Sequence, residues 1–300
     1  MTKMQRLRRE IWRNRQNYVL LLPFFLGFFA FTVLPVGLSM LISLTDFNML
    51  QVPHFVGMKN YLRLFLEDDI FLIALKNTIV FSCITGPVSY MMCFVFAWII
   101  NELPRTIRSV LTTILYVPSM CGNVYFIWSY IFSADRNGLM NSLLMRMNFI
   151  AQPISWLRTE DYVMPILIVV QLWLSLGTGF LAFIAGLQTV DKSLYEAGAV
   201  DGIRNRWQEL WHITLPSMVP QLMFGAVMTI TSSLAAADVS IALAGSPSVN
   251  YAGSTIVTHL IDYGTTRFEM GYASAIATLL FIIMVASNKL VQKALRKVGH

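Results

Sequence analysis

The residues best suited to chemistry in this 300-residue chain are four histidines, His54, His212, His259 and His300, and three cysteines, Cys83, Cys93 and Cys121. A metal site or a nucleophile–base pair needs such groups at fixed offsets, and here they are scattered. No C-x-x-C pair, H-E-x-x-H, G-x-S-x-G or phosphate-cradling G-x-x-x-x-G-K-[ST] occurs. The pattern predicts a chain with no catalytic residues and no metal, so that any ATP it depends on is hydrolysed by another polypeptide. The cysteines fall inside apolar stretches and read as small apolar fillers.

A different kind of chemistry is concentrated in one internal segment, "SLYEAGAVDGIRNRWQELWHITLP", Ser193–Pro216. Charges, small residues and two tryptophans crowd there between long apolar runs. Ser193 and Glu196 have the S-x-x-E spacing of a capping box, which predicts a short helix from Ser193, and Gly202 is a natural stop. Ala197, Gly198 and Ala199 form a flat surface that another chain can approach, flanked by the charges of Glu196 and Asp201. A second helical piece around Arg204–His212 puts Trp207 and Trp211 on one face. Pro216 and Pro220 mark the bend into the next apolar run. The expected shape is a rigid elbow, and the same pattern fits an amphipathic loop with its tryptophans at the headgroup level of a bilayer.

The elements that position this elbow are membrane helices. The chain is 56% hydrophobic and 13% charged, with a mean hydropathy of +0.61, whereas soluble domains carry about 25% charged residues. About 20 apolar residues cross a bilayer core of about 30 Å. Six segments qualify: 18–45, 77–100, 109–132, 163–189, 219–243 and 271–292. The first is too long for a signal-peptide core and lacks a small-residue cleavage site, so it is expected to stay uncleaved.

Six crossings put both termini on one side. The basic tail 1–17, the loops 101–108 and 190–218, and the end of the last segment with tail 293–300 hold 15 of the 22 Lys and Arg residues. That bias marks the cytoplasmic face and accounts for the net charge of +6 without nucleic-acid binding. Of the opposite connections, 46–76 holds four acids and a short amphipathic pattern, and 244–270 opens on the turn sequence "AGSPS". The connection 133–162 carries Gly, Pro and Asn punctuation around apolar clusters, which predicts short helices near the outer interface. No internal repeat or long linker appears. The expectation is an all-α polytopic membrane protein: a cytoplasmic tail 1–17, one membrane domain 18–292 with its elbow at 191–218, and a cytoplasmic tail 293–300.

The order Glu196-Ala197, Gly202, Ile213, Leu215-Pro216 resembles the EAA loop, the signature of membrane subunits in binding-protein-dependent ABC importers. "LYEAGAVDG" followed by "ITLP" is similar to the version in the sugar-importing branch. Further pieces match that branch in order: "FVGMKNYLRLF" (55–65), "ALKNTIVFS" (74–82), "MNSLL" (140–144), "PISWL" (153–157) and "MGYASA" (270–275). Two features depart from the pattern. Gly198 replaces the usual third-position alanine, and ten residues separate Gly202 from Ile213, one more than is common.

The resemblance implies the type I permease architecture, in the cytoplasmic membrane, with a coupling helix seated on a cytoplasmic ATPase. Glu196, Ala197, Gly198, Asp201, Gly202, Ile213, Leu215 and Pro216 would form the coupling element, Glu196 making a charge-assisted contact to a basic group of the ATPase. It further implies a heterodimer with a homologous permease, two ATPase subunits and an extracytoplasmic sugar-binding protein. This chain would hold no cofactor of its own, with ATP and Mg bound by the ATPase. It would move a sugar, in the form of an oligosaccharide, by alternating access.

Polar groups at membrane depth cost free energy and mark candidate substrate contacts. Asn123, Gln171, Trp173, Ser232 and Ser233 are those candidates: Trp173 could stack on a sugar face while Gln171 bonds a hydroxyl. Against this, the Ser, Thr and Ala residues of "TITSSLAAAD" also suit close helix packing. Asp238 is expected at the outer interface. An ion-coupled secondary transporter is the alternative function, and it requires paired intramembrane acids or helices broken in two corresponding halves, neither of which the sequence displays. The topology is directly testable. A cysteine introduced by Asn205→Cys should react with impermeant reagents only from the cytoplasmic side, and labelling from outside would overturn the six-span arrangement.

Overall fold

The computed structural model describes residues 12–122 and 124–296. Most of the basic N-terminal tail, the candidate Asn123 and the end of the C-terminal tail lie outside the described residues. The described residues are mostly helical, with one isolated bridge between Thr45 and Phe55 and no sheet among them. Five segments are long and apolar enough to cross a membrane: Arg15–Ile42, Asp69–Asn101, Glu160–Thr189, Val219–Ala244 and Met270–Leu295. Two shorter helices, Arg105–Met120 and Tyr125–Ile131, inclined at 84°, meet the same test of length and composition only when taken together as one bent span. In chain order these are the first to sixth spans.

The sequence predicts six unbroken spans, and three of them are interrupted. Besides the bent third span, the fourth divides into Glu160–Leu174 and Thr178–Thr189, and the fifth into Val219–Leu234 and Asp238–Ala244. Each interruption frees backbone groups that hydrocarbon cannot satisfy, and in the fourth and fifth spans neighbouring side chains take one up. The Cys93 thiol donates to the Ser175 carbonyl at 3.3 Å, and the Thr255 hydroxyl donates to the Ala236 carbonyl at 3.0 Å. Cys93 is therefore a hydrogen-bond donor in the core as well as an apolar filler.

The spans pack most tightly around Phe183 of the fourth. A Cβ on Gly225 of the fifth span would lie 2.4 Å from the Phe183 ring, so only glycine lets these helices approach so closely. Tyr90 and Phe94 of the second span meet the same ring edge-on, with centroids 5.4 and 5.7 Å away. The first span stands apart. Its side chains are exposed along most of its length, and only its later part, Leu34–Ile42, packs on the sixth span.

At the end remote from the elbow, single polar side chains tie the connections together. Asn60 donates to the carbonyls of Ser43 and Thr45, both at 2.8 Å. Asn77 donates to Tyr251, Ala252 and Ser254. Asn141, fully buried, donates to Ser133, Asp135 and Ile154 and accepts from Trp156 Nε1. Each satisfies loop carbonyls that would otherwise be buried without a partner.

Asp68 starts the second span by accepting from the Phe71 N–H at 2.9 Å. It also accepts from His259 Nε2 at 2.9 Å and from the Tyr272 hydroxyl at 2.6 Å, which clasps the last loop and the sixth span to the second. Burial works against the charged carboxylate, but the bonds from His259, Tyr272 and Phe71 outweigh it and hold Asp68 well below the usual carboxylate range. A carboxyl depressed in the folded state adds stability that is complete above its unfolded value of about 3.9. That stability declines as the pH drops below this value and is gone once the pH has passed the folded one. Asp68→Asn should therefore destabilise the detergent-solubilised protein at neutral pH, by about 1–3 kcal/mol for the unsatisfied donors. The gap from wild type in thermal unfolding should narrow below about pH 4. An equal gap at every pH would show that the ionised carboxylate is not what holds the clasp.

Candidate coupling elbow and break cavity

The elbow is built from residues 191–218 and differs in detail from its sequence expectation. Its first helix is Lys192–Val200, capped by Asp191, whose side chain accepts from the Ser193 N–H at 3.0 Å. The predicted capping box of Ser193 and Glu196 does not form, because Asp191 offers a carboxylate two residues earlier and takes the cap. The helix ends as the sequence predicts. Gly202 has φ +96°, the Ile203 N–H donates to the Gly198 carbonyl at 2.9 Å and the Gly202 N–H to Ala199 at 3.4 Å. That is the Schellman pattern, with its apolar contact between Ile203 and the Gly198 position.

Gly198 is buried, and a Cβ there would stand 2.7 Å from Ile213 Cδ1 and 3.1 Å from Ile203 Cδ1. The departure from alanine at this position thus has a packing reason. The second arm begins at Asn205, whose side chain accepts from the Gln208 N–H at 2.8 Å. It runs as an α-helix over Arg206–Glu209 and then as a π-helical turn over Leu210–Thr214. A π turn holds one residue more than an α turn. The extra residue between Gly202 and Ile213 is absorbed there, which leaves Ile213 facing Gly198. Leu215 and Pro216 form a short helical link, and the chain turns at Met218 into the fifth span with Pro220 in its first turn.

Two further contacts fasten the elbow. The hydroxyls of Tyr195 and Thr214 are hydrogen-bonded at 3.0 Å, joining its two arms. Trp207 meets Trp98 at the end of the second span, with ring centroids 5.3 Å apart, and Arg206 lies 3.6 Å from Glu102. The Arg206–Glu102 pair is largely exposed and contributes little by itself. Glu196, Ala197, Asp201 and Gly202 are exposed, and Trp207 and Trp211 are 63% and 61% exposed. The elbow therefore offers a flat helical surface with a carboxylate outward while its inner side is locked to two spans.

The polar candidates at membrane depth separate into two groups. Gln171 lines a cavity of about 550 Å³ at the interruptions of the third, fourth and fifth spans, together with Ser119, Tyr125, Leu174 and Asp238. Trp173 lies outside it and packs edge-on against Trp128 at 5.4 Å. Ser232 and Ser233 both donate to the Thr229 carbonyl of their own helix, at 3.0 and 2.8 Å, and Ser233 is buried against Gly86. Ser233 is thus part of the helix packing, whereas Ser232 is exposed and lies outside this cavity. Tyr125 was not singled out from the sequence and Asp238 was placed only at the outer interface, because only the breaks bring them to the same cavity as Gln171.

Comparison with known proteins agrees with this architecture. The family model described as "Binding-protein-dependent transport system inner membrane component" matches residues 95–297. The chain is 30% identical to the probable ABC transporter permease protein YesP of Bacillus subtilis, over 95% of this chain and 90% of that one. It is 29% identical to the arabinooligosaccharides transport system permease protein AraP of the same organism, over 89% of this chain and 84% of that one. A crystal structure of a bacterial alginate ABC transporter, in complex with an alginate pentasaccharide-bound periplasmic protein, superposes with a TM-score of 0.78 at 22% identity, covering 98% of both chains. This last likeness concerns the fold.

The elbow's geometry is open to test. No atom lies within 4 Å of a Cβ placed on Gly202, so the cost of a side chain there comes from φ alone. Left-handed backbone costs about 1–2 kcal/mol for an ordinary residue and less for asparagine. In limited proteolysis of the purified protein, Gly202→Val should speed cleavage around residues 200–206, while Gly202→Asn should stay near the wild-type rate. Equal rates for the two variants would remove the positive φ as the reason for this glycine.

Proposed function

The chain belongs to the binding-protein-dependent transport system inner membrane component family, as a sugar permease of the ABC transporters spanning the cytoplasmic membrane several times. From that premise we propose that it imports an oligosaccharide by alternating access and that the elbow at 191–218 couples this movement to a separate ATPase. The observation that carries the reading is the elbow itself. Its outer surface presents Glu196, Ala197 and Asp201 to a partner. Its inner side is wedged by Ile213 on Gly198 and runs through Leu215-Pro216 into the fifth span. A push on the helix Lys192–Val200 would therefore move spans rather than bend the loop. ATP closing a dimer of ATPase subunits would supply that push, a rigid-body switch between states with different contacts.

In this arrangement both termini and the elbow face the cytoplasm. ATP and Mg bind the ATPase and none of this chain's residues. One elbow per chain fits one ATPase subunit, so the engine has two ATPases, this subunit and a second homologous permease. A sugar-binding protein meets the outer connections 46–76, 133–162 and 244–270. The substrate path runs past the break cavity, with Gln171 and its neighbours as contacts. The names of relatives that handle arabinooligosaccharides and lactose support a saccharide cargo.

Replacing Glu196, which is exposed, leaves the packing of the spans untouched. In the complex purified with its ATPase and permease partners, Glu196→Ala should lower both ATPase retention and ATP-driven saccharide uptake, while the thermal stability of the membrane subunit stays at the wild-type value. Unchanged uptake would sink the coupling assignment. Lost uptake with full ATPase retention would place the role of Glu196 after docking, in transmission to the spans.

A further inference from the structure

Unwound backbone at membrane depth must be buried in protein or face water. Here the interruptions of three spans open on one cavity of about 550 Å³. A second hollow of about 530 Å³ continues it, sharing Gly122, Tyr125 and Ala242 and adding Phe126 and Ser129. The combined groove is amphipathic, with aromatic rings from Tyr125 and Phe126 and polar groups from Ser119, Ser129 and Gln171.

Its charge is one-sided. Among the described residues lining either hollow, Asp238 is the only charged side chain, and no Lys, Arg or His joins it. Asp238 opens the outer half of the fifth span and is exposed to the groove. No described cation lies within ion-pairing distance of its carboxylate: Arg63, Arg206, His259 and Arg267 hold other acids. Low-dielectric walls concentrate the field of such a charge along the groove.

We propose that Asp238 is a specificity-determining residue that fits this path to uncharged saccharides and against acidic ones. This rests on the reading that the chain carries a saccharide through the break cavity. A carboxylate accepts charge-assisted hydrogen bonds from sugar hydroxyls, while Tyr125 and Phe126 offer ring faces to the apolar side of a pyranose. A uronate brings a second negative charge into the same groove and meets no cation among this chain's described lining residues. The likeness to an alginate permease concerns the fold, and a shared fold leaves the charge class of the cargo open.

The groove contains its own reporter. Cys121 lines it and is exposed, whereas Cys93 is buried and Cys83 lies elsewhere. In the assembled complex carrying Cys83→Ala and Cys93→Ser, the serine keeping a donor for the Ser175 carbonyl, Cys121 is the remaining thiol of this chain. Its modification by the ethylammonium and the ethylsulfonate methanethiosulfonates is followed by mass spectrometry of its peptide. The ratio of cationic to anionic rate should fall by at least about threefold in Asp238→Asn and further in Asp238→Lys. A ratio unchanged by both substitutions overturns the proposal.

A second arm measures ATP-driven uptake of maltotriose, arabinotriose and trigalacturonate in proteoliposomes. The neutral sugars should exceed the uronate, and Asp238→Asn should narrow that difference. Faster uptake of the uronate by the wild-type complex also overturns the proposal. Absence of ATP-driven uptake of every saccharide, with the labelling ratio still dependent on Asp238, would instead overturn the importer reading on which it rests.

Discussion

A missing side chain holds the elbow together. Ile213 occupies the space where a Cβ on Gly198 would stand, 2.7 Å from its Cδ1, and this contact fixes the angle between the helix Lys192–Val200 and the arm leading to the fifth span. The other features of the elbow serve it. The Schellman turn at Gly202 brings Ile203 onto the same spot, and the π turn Leu210–Thr214 rotates Ile213 into register despite one additional residue. The Tyr195–Thr214 bond closes the remaining side. A short helix outside the membrane has little stability by itself. Wedged in this way it becomes an extension of the fifth span.

The spans follow the opposite logic at their centre. Close packing around Phe183 and Gly225 joins the second, fourth and fifth spans near the elbow, and the fourth and fifth are then interrupted farther along. The free carbonyls at the breaks are met by Cys93 and Thr255, so the interruptions cost less than their backbone alone implies. The far end is held by the Asp68 clasp and by Asn60, Asn77 and Asn141. These groups order the loops through hydrogen bonds made several to a side chain, beside an apolar cluster that includes Leu64, Phe71, Ile256 and Tyr272.

Several pieces by which the chain resembles its family prove to be these fastening points. "FVGMKNYLRLF" holds Asn60, "ALKNTIVFS" Asn77, "MNSLL" Asn141, "PISWL" Trp156 and "MGYASA" Tyr272. Gly271 of the last piece lies so close to the Thr45 carbonyl that any Cβ would collide with it. From the sequence, the order of the pieces identified the family, but nothing local revealed their partners. The bonded groups are up to 204 residues apart in the chain.

The sequence by itself determined the membrane class, the approximate place of the apolar helices, and the elbow with its stop at Gly202. Those properties are local: apolar runs of sufficient length, a glycine free to take positive φ, prolines that cannot continue a helix. Only the tertiary structure decided where the spans break. Ala235–Ala237 and Ser175–Gly177 contain no proline, and alanine is the strongest helix former, so intrinsic preference argues for continuity at the first of them. At that break Thr255 supplies a hydrogen bond from a distant loop to the Ala236 carbonyl. Those breaks in turn gather Gln171, Tyr125 and Asp238 around one cavity, a grouping that exists only once three separate spans have been laid side by side.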